Sequence, residues 1–233
     1  MSLHGEGVSV MQFSLRGSVR SRPVCGVLAF AGIAAGALIG RTGLTTVAGC
    51  GSGSDAYPSQ TAKDWIAYAD HVVVATPTQE RDTNRRTFTK GPIRYQVDRA
   101  VTFRTDNVLW SSRRPTRAMG KAFDMTAPGW QVYTSGSRIK RTPTDAPRLE
   151  TGHTYLLALR WTNDGWAALG EGAAVPFDDH IGDQGEWCGR VLSKEDVARG
   201  ERFSRSDDNS LEKAVLGRNE QAVIRELERA GGK

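Results

Sequence analysis

Cysteine is scarce in this chain of 233 residues: Cys25, Cys50 and Cys188 are all there is. That excludes a disulfide-dense scaffold, and no paired-cysteine motif of the zinc type is present. No Walker loop, dinucleotide fingerprint or Gly-x-Ser-x-Gly elbow appears, so the common phosphate, cofactor and serine-nucleophile signatures are missing. Charge of one sign is also lacking once the N-terminus is set aside. Of 31 basic and 26 acidic residues, Arg16, Arg20, Arg22, Arg41 and Glu6 fall in residues 1–50, which leaves the rest with a net charge of about +2. A chain so balanced has no bias toward a polyanion, and no nucleic acid is expected as a partner. Long hydrophobic runs are absent too, apart from an uncharged stretch over residues 24–40.

That stretch is the first positive signal. Arginines precede it, and a small-residue site, Val47-Ala48-Gly49-Cys50, follows. Arginine-bearing start, apolar run and small residues together read as an export leader. Residues 16–52 resemble the leader of a bacterial lipoprotein precursor, with valine for the usual leucine at the head of the box. The resemblance implies cleavage before Cys50, a lipid on its sulfur, and a domain held at the extracytoplasmic face of the cell membrane. A signal peptide cut elsewhere and an uncleaved anchor are the alternatives, and each also exports the domain. Translation starts at Met1 or Met11. The expected organisation is a leader over residues 1–49, a flexible tether over 50–60, a β domain over 61–190 and a helical segment over 191–233. With Cys50 acylated, Cys188 is the sole thiol of the domain, read as a buried and inert side chain beside Trp187. Pairing with another chain, or with Cys50 if acylation fails, stays open.

The body of the chain reads as short strands. Thr61-Ala62-Lys63-Asp64 has the form of a capping box before a short helix. His71-Val72-Val73-Val74-Ala75 is a β-branched run suited to a buried strand. Residues 78–91 are polar, a loop or an exposed hairpin arm. Ile93, Tyr95 and Val97 alternate with polar residues, and Val101 and Phe103 continue that face. Arg99 intrudes on it, and a β-bulge near 98–100 is expected to re-aim its side chain. Trp130 to Thr134 reads as a strand and 135–148 as turn and loop. Tyr155 to Trp161 is the strongest strand; Asn163-Asp164-Gly165 turns it back into Trp166 to Leu169, and Ala173 to Phe177 adds one more. Ser193 and Asn209 start helices, the second over about 210–230 with Leu216, Val223 and Leu227 on its apolar stripe.

These patterns predict a mainly β protein with flanking helices: a small antiparallel OB-like barrel or sandwich plus a C-terminal helix. The segments Ala69-Asp70-His71-Val72-Val73-Val74, Tyr95-Gln96-Val97-Asp98-Arg99-Ala100-Val101 and Leu149-Glu150-Thr151-Gly152-His153-Thr154-Tyr155-Leu156-Leu157 are similar to exported bacterial domains on a netrin- or tissue-inhibitor-like OB barrel. Inhibitors of that class act through a free N-terminal cysteine, a role that acylation of Cys50 would block.

Chemistry is concentrated between Pro176 and Gly189. Asp179, His180, Asp183 and Glu186 are the ligand candidates there, with Asp178 and Cys188 beside them. Carboxylates and an imidazole suit a hard cation or zinc. The spacing fits no calcium loop and His180 has no i+4 histidine, so the plainer reading is an acidic surface loop, without metal or cofactor. His71 and His153 read as structural. Trp161 and Trp166 flank a hairpin turn, where an exposed pair would stack on a sugar. The expected function is a lipid-anchored binding or interaction module of the envelope, for a protein or a glycan, rather than an enzyme. A metal-dependent hydrolase using 178–188, and a scaffold pairing through its C-terminal helix, are the alternatives.

Overall fold

A computed structural model describes residues 49–51, 55–180, 185–199 and 210–232, all within one unit, Gly40–Lys233. The leader before Gly49, the 52–54 part of the tether, Asp183 and Asn209 lie outside the described residues.

The strands are β1 (Gly49–Gly51), β2 (His71–Thr87), β3 (Ile93–Ser111), β4 (Ala122–Tyr133), β5 (Arg138–Pro143), β6 (Tyr155–Thr162), β7 (Gly165–Ala168), β8 (Ala174–Pro176), β9 (Gly185–Trp187) and β10 (Arg190–Leu192). The helices are α1 (Ala62–Tyr68), α2 (Lys194–Ala198), α3 (Leu211–Val215) and α4 (Glu220–Ala230). One sheet runs in the order β1-β5-β4-β3-β2-β6-β7, with β8 beside β6 and β9 paired to β10 apart from it. The sheet curls until β4 meets β7 in parallel, Met125 opposite Trp166. A β2-β3-β4 meander, β6 returning to β2 and β7 approaching β4 make a partly closed ring within the mainly β fold with flanking helices that the strand pattern predicts.

The first five residues of β2 and of β6 are buried on both faces, which is why each reads as a continuous apolar run rather than an alternation. Val73, Ala75, Leu157 and Leu159 point into the ring with Val101, Phe103, Phe123 and Trp166. Val72, Val74, Leu156 and Ala158 point out, beneath Trp65 of α1, Leu211 and Val215 of α3, and Val223 and Leu227 of α4. The C-terminal helix is therefore core, not a free surface for a partner helix. It is also two helices: the chain breaks after Val215, and Gly217 takes a left-handed backbone at φ 66°. Ser210 caps the first of them through Lys213 N–H. The boxes at Thr61 and Ser193 form with both reciprocal bonds.

Of the loop and the exposed hairpin arm expected over residues 78–91, the structure has the arm, as β2 and β3 continue past the ring. Two departures from the sequence reading matter for the site. β5 is a strand where turn and loop were expected, because Arg138-Ile139-Lys140-Arg141 carries too much charge to alternate. The tether is docked rather than flexible where described. β1 lies parallel to β5, Tyr57 N–H bonds Leu169, and the Asp55 carboxylate accepts from Ser59 and from Glu171 N–H at 2.7 Å each.

Candidate functional site

The alternation of β3 keeps Tyr95, Val97, Arg99, Val101 and Phe103 on one face without interruption. The bulge expected near Arg99 lies on the partner strand: β4 slips register between Trp130, opposite Val97, and Pro128, opposite Asp98. Gly129 is the extra residue. A Cβ there would come within 2.5 Å of the Val97 carbonyl oxygen, so only glycine lets the strands approach. Arg99 is consequently not re-aimed. It stays inside the ring, 1% exposed.

A guanidinium there needs partners. Arg99 Nε donates to the Pro128 carbonyl at 3.0 Å, and Nη1 pairs with Glu80, opposite Val101 on β2. Glu150 lies 3.9 Å away. Arg148, on the segment between β5 and β6 and equally buried, sits beside it. Its Nε donates to Glu150 at 2.5 Å, and its Nη1 meets the carbonyls of Pro128, Gly129 and Arg141 at 3.2, 2.7 and 2.5 Å. Arg148 thus gives a buried donor to three backbone oxygens, of Pro128 and Gly129 at the bulge and of Arg141 on β5. Glu150 also holds Lys140 at 3.1 Å, and Lys140 reaches Glu186 at 2.7 Å. Three cations and three carboxylates form one partly dry network (Arg99, Lys140, Arg148; Glu80, Glu150, Glu186). Burial alone would raise the Glu150 carboxyl, but Arg148, Arg99 and Lys140 outweigh it and hold it below its usual range. Burial, and then the neighbouring Arg99, push the Arg148 guanidinium down from its ordinary value. Arg148 Nη2 is a buried donor with no hydrogen-bond partner.

The network borders a cavity of about 260 Å³ along the seam between β4 and β7. The two strands meet at one position, and beyond it Met125 to Pro128 face Ala167 and Ala168 across a gap. Ala127, Ala146, Ala168 and Ala174 are too small to fill it, and Pro128, Pro143, Pro147 and Leu149 complete its apolar walls. Arg99, Arg141 and Arg148 border it, the Arg99 and Arg148 side chains with almost no accessible surface of their own, and Asp55 and Glu171 are its acids. Apolar walls with a few convergent polar groups are the ordinary form of a small-molecule site.

Most of the described residues between Pro176 and Gly189 are buried, where a surface loop was expected. Pro176, Phe177, Asp178 and Gly185 to Trp187 are buried, and Glu186 is committed to Lys140. Asp178 accepts from Thr154 N–H and contacts His153 Nδ1, both at 2.7 Å. Asp179 is exposed, in a left-handed backbone at φ 55°. The side chain of His180 and all of Asp183 lie outside the described residues. Among the described residues no three His, Cys, Asp or Glu side chains are grouped to hold a metal ion. His71 contacts Ser111 Oγ and the Arg117 carbonyl, each at 2.8 Å, so Nε2 carries the hydrogen that meets the carbonyl. Trp161 and Trp166 do pack together, edge to face at 5.2 Å. Trp166 is 7% exposed and Arg117 covers Trp161, so no open sugar platform results.

Cys188 is half-buried and disulfide-bonded to Cys50, Cα to Cα 5.4 Å. The inert-thiol reading of Cys188 is corrected by this bond. One sulfur cannot hold both a disulfide and a lipid thioether, so the expected lipid on Cys50 and this bond are mutually exclusive.

Arg99 was legible from sequence as an intruder on an apolar face. Arg148, Glu150, Lys140 and Glu80 carried no local signal. No family model and no curated protein matches the chain.

Proposed function

We propose that this protein is an exported binding module that takes a small ligand in the seam cavity. The observation that carries the reading is the cavity itself: an unfilled, apolar-walled space in a ring whose other interior positions are packed. Hexanol is a suitable probe of the walls. Saturable binding, followed through tryptophan fluorescence and abolished by the space-filling change Ala168→Leu, supports the reading. Absence of saturable binding, or binding untouched by that change, overturns it.

The place of action is outside the cytoplasm. The arginine-led leader supports export, and a Cys50–Cys188 bond persists only in an oxidising compartment. The box residues also have structural reasons to be what they are. A Cβ on Gly49 would lie 2.7 Å from both Lys140 O and Arg141 Cγ of β5, and Cys50 is needed for the bond. These reasons favour a disulfide-stapled form over a lipid-anchored one. Intact mass of the protein recovered from its native host separates the two. A chain retaining Gly49 and lighter by two hydrogens than its reduced form fits the disulfide. A chain beginning at Cys50 with diacylglycerol sinks it and puts the protein on the membrane.

A further inference from the structure

We propose that the end of the sheet formed by the β2–β3 and β4–β5 turns docks on an anionic phospholipid surface. This stands apart from the seam cavity and does not depend on it. The near balance of charge along the chain conceals a segregation. Residues 81–94 hold five cations and one acid, a net of +4, against about +2 for everything after residue 50, so the remainder is net negative. The one acid, Asp82, is paired with Arg138 at 3.4 Å. Neither residues 83–97 nor residues 129–144 contain an acid. The fold lays these two stretches side by side. β3 runs against β4 from Ile93 opposite Tyr133 to Val97 opposite Trp130, and Thr134 N–H bonds the Pro92 carbonyl at 2.8 Å. Arg85, Arg86, Lys90 and Arg94 are all exposed there, and among the described residues none of them pairs with a carboxylate. Crowded like charges without counter-charges repel, and an anionic partner relieves them.

The side chains among these cations favour a bilayer over a soluble polyanion. Pro92 is exposed at the turn, with Phe88 and Ile93 half-buried on either side of it. A lipid surface offers both halves of a match: head groups for the cations and the acyl boundary for the apolar groups. Tyr95, Trp130 and Tyr133 follow on the adjoining strands, each half-buried, and tyrosine and tryptophan are the aromatic types suited to a boundary that is apolar on one side and wet on the other. Arg85 and Arg138 lie over the Tyr95 and Trp130 rings at 3.7 and 3.9 Å, which holds their charges in place. The turn itself is fixed by Phe88 N–H on the Arg94 carbonyl at 3.0 Å and by Gly91 in a left-handed backbone at φ 82°. The charges are therefore presented without an ordering cost on binding.

The experiment is co-sedimentation of the full chain with vesicles of phosphatidylcholine, alone or mixed with phosphatidylglycerol. Binding to the mixed vesicles should be tighter by about tenfold or more and should weaken with added salt. Equal binding to both kinds, or binding to neither, overturns the proposal. The combined variant Arg85→Gln/Arg86→Gln/Lys90→Gln/Arg94→Gln should lose about a hundredfold in affinity for the mixed vesicles. Arg113→Gln/Arg114→Gln, which removes an exposed basic pair elsewhere, should change it far less. The leader is common to these chains, so it cannot produce a difference between them. An unchanged affinity in the combined variant, or an equal loss in the control pair, overturns the proposal. Phe88→Ser keeps every charge. It should weaken binding to the vesicles severalfold while leaving binding to dextran sulfate unchanged. Equal affinity of Phe88→Ser and wild type for the vesicles overturns the choice of a bilayer in favour of a soluble polyanion.

Discussion

The two faces of the β2–β6 sheet are buried by opposite means. Outside the ring, α1, α3 and α4 lay Trp65, Leu211, Val215, Val223 and Leu227 on Val72, Val74, Leu156 and Ala158. That side is filled by large apolar groups. Inside, one end of the ring carries Arg99, Arg148, Glu150 and Glu80, and small side chains leave a gap along the β4–β7 seam. A layer sealed by shape-matched apolar groups contributes stability and little else. A layer with buried charge and an unfilled seam gives up stability for a place where a ligand can bind.

The comparison breaks most sharply at Trp65, which is wholly buried and donates Nε1–H to the Ser59 carbonyl at 2.7 Å. Trp65→Ala should cost about 4 kcal/mol in urea unfolding, while any seam ligand binds the remaining folded protein with unchanged affinity. Next in size is the staple. Cys188→Ser frees a loop with a sequence separation of 138 residues and should cost about 3 kcal/mol, read in the same titration. Glu150→Gln tests the charged side. It removes the carboxylate that three cations share, at a cost of about 2 kcal/mol, discounted because Glu150 keeps some solvent contact. Its sign with pH is definite. The folded carboxyl lies below its unfolded value, so its contribution is full above roughly pH 4.3 and is lost as pH falls through the folded pKa. The acid limb of stability should therefore be shallower in Glu150→Gln than in the wild type. The smallest effect belongs to Ala168→Leu. Filling a gap should change stability by less than about 1.5 kcal/mol yet abolish probe binding, which would separate the seam from the core.

Much of the fold was legible because its signals are local. The β-branched run at 71–75, the Asn163-Asp164-Gly165 turn and the boxes at Thr61 and Ser193 each depend on neighbours a few residues away. β5 was missed because a short, half-buried strand whose side chains meet charge partners needs no apolar alternation. The break at Gly217 was hidden by an apolar stripe that continues across it. The candidate site was legible in one residue only. Arg99 stood out against its strand, but its partners come from β2, from β4 and from the segment before β6, and no periodicity links them. The acidic residues between 176 and 189 drew attention by composition, whereas Asp178 and Glu186 answer buried cationic or hydrogen-bonding groups elsewhere.

Local pattern alone determined the mainly β class, the two-sided burial at the start of β2 and β6 and the helix starts at Thr61 and Ser193, since backbone periodicity and capping act within a few residues. Only the tertiary structure decided that Cys50 meets Cys188, that Arg99 turns inward rather than out, and that Arg148 is left with a free donor beside an unfilled seam. Those outcomes depend on how residues far apart along the chain are brought together when the sheet curls, and on a ring that closes at a single pair of residues.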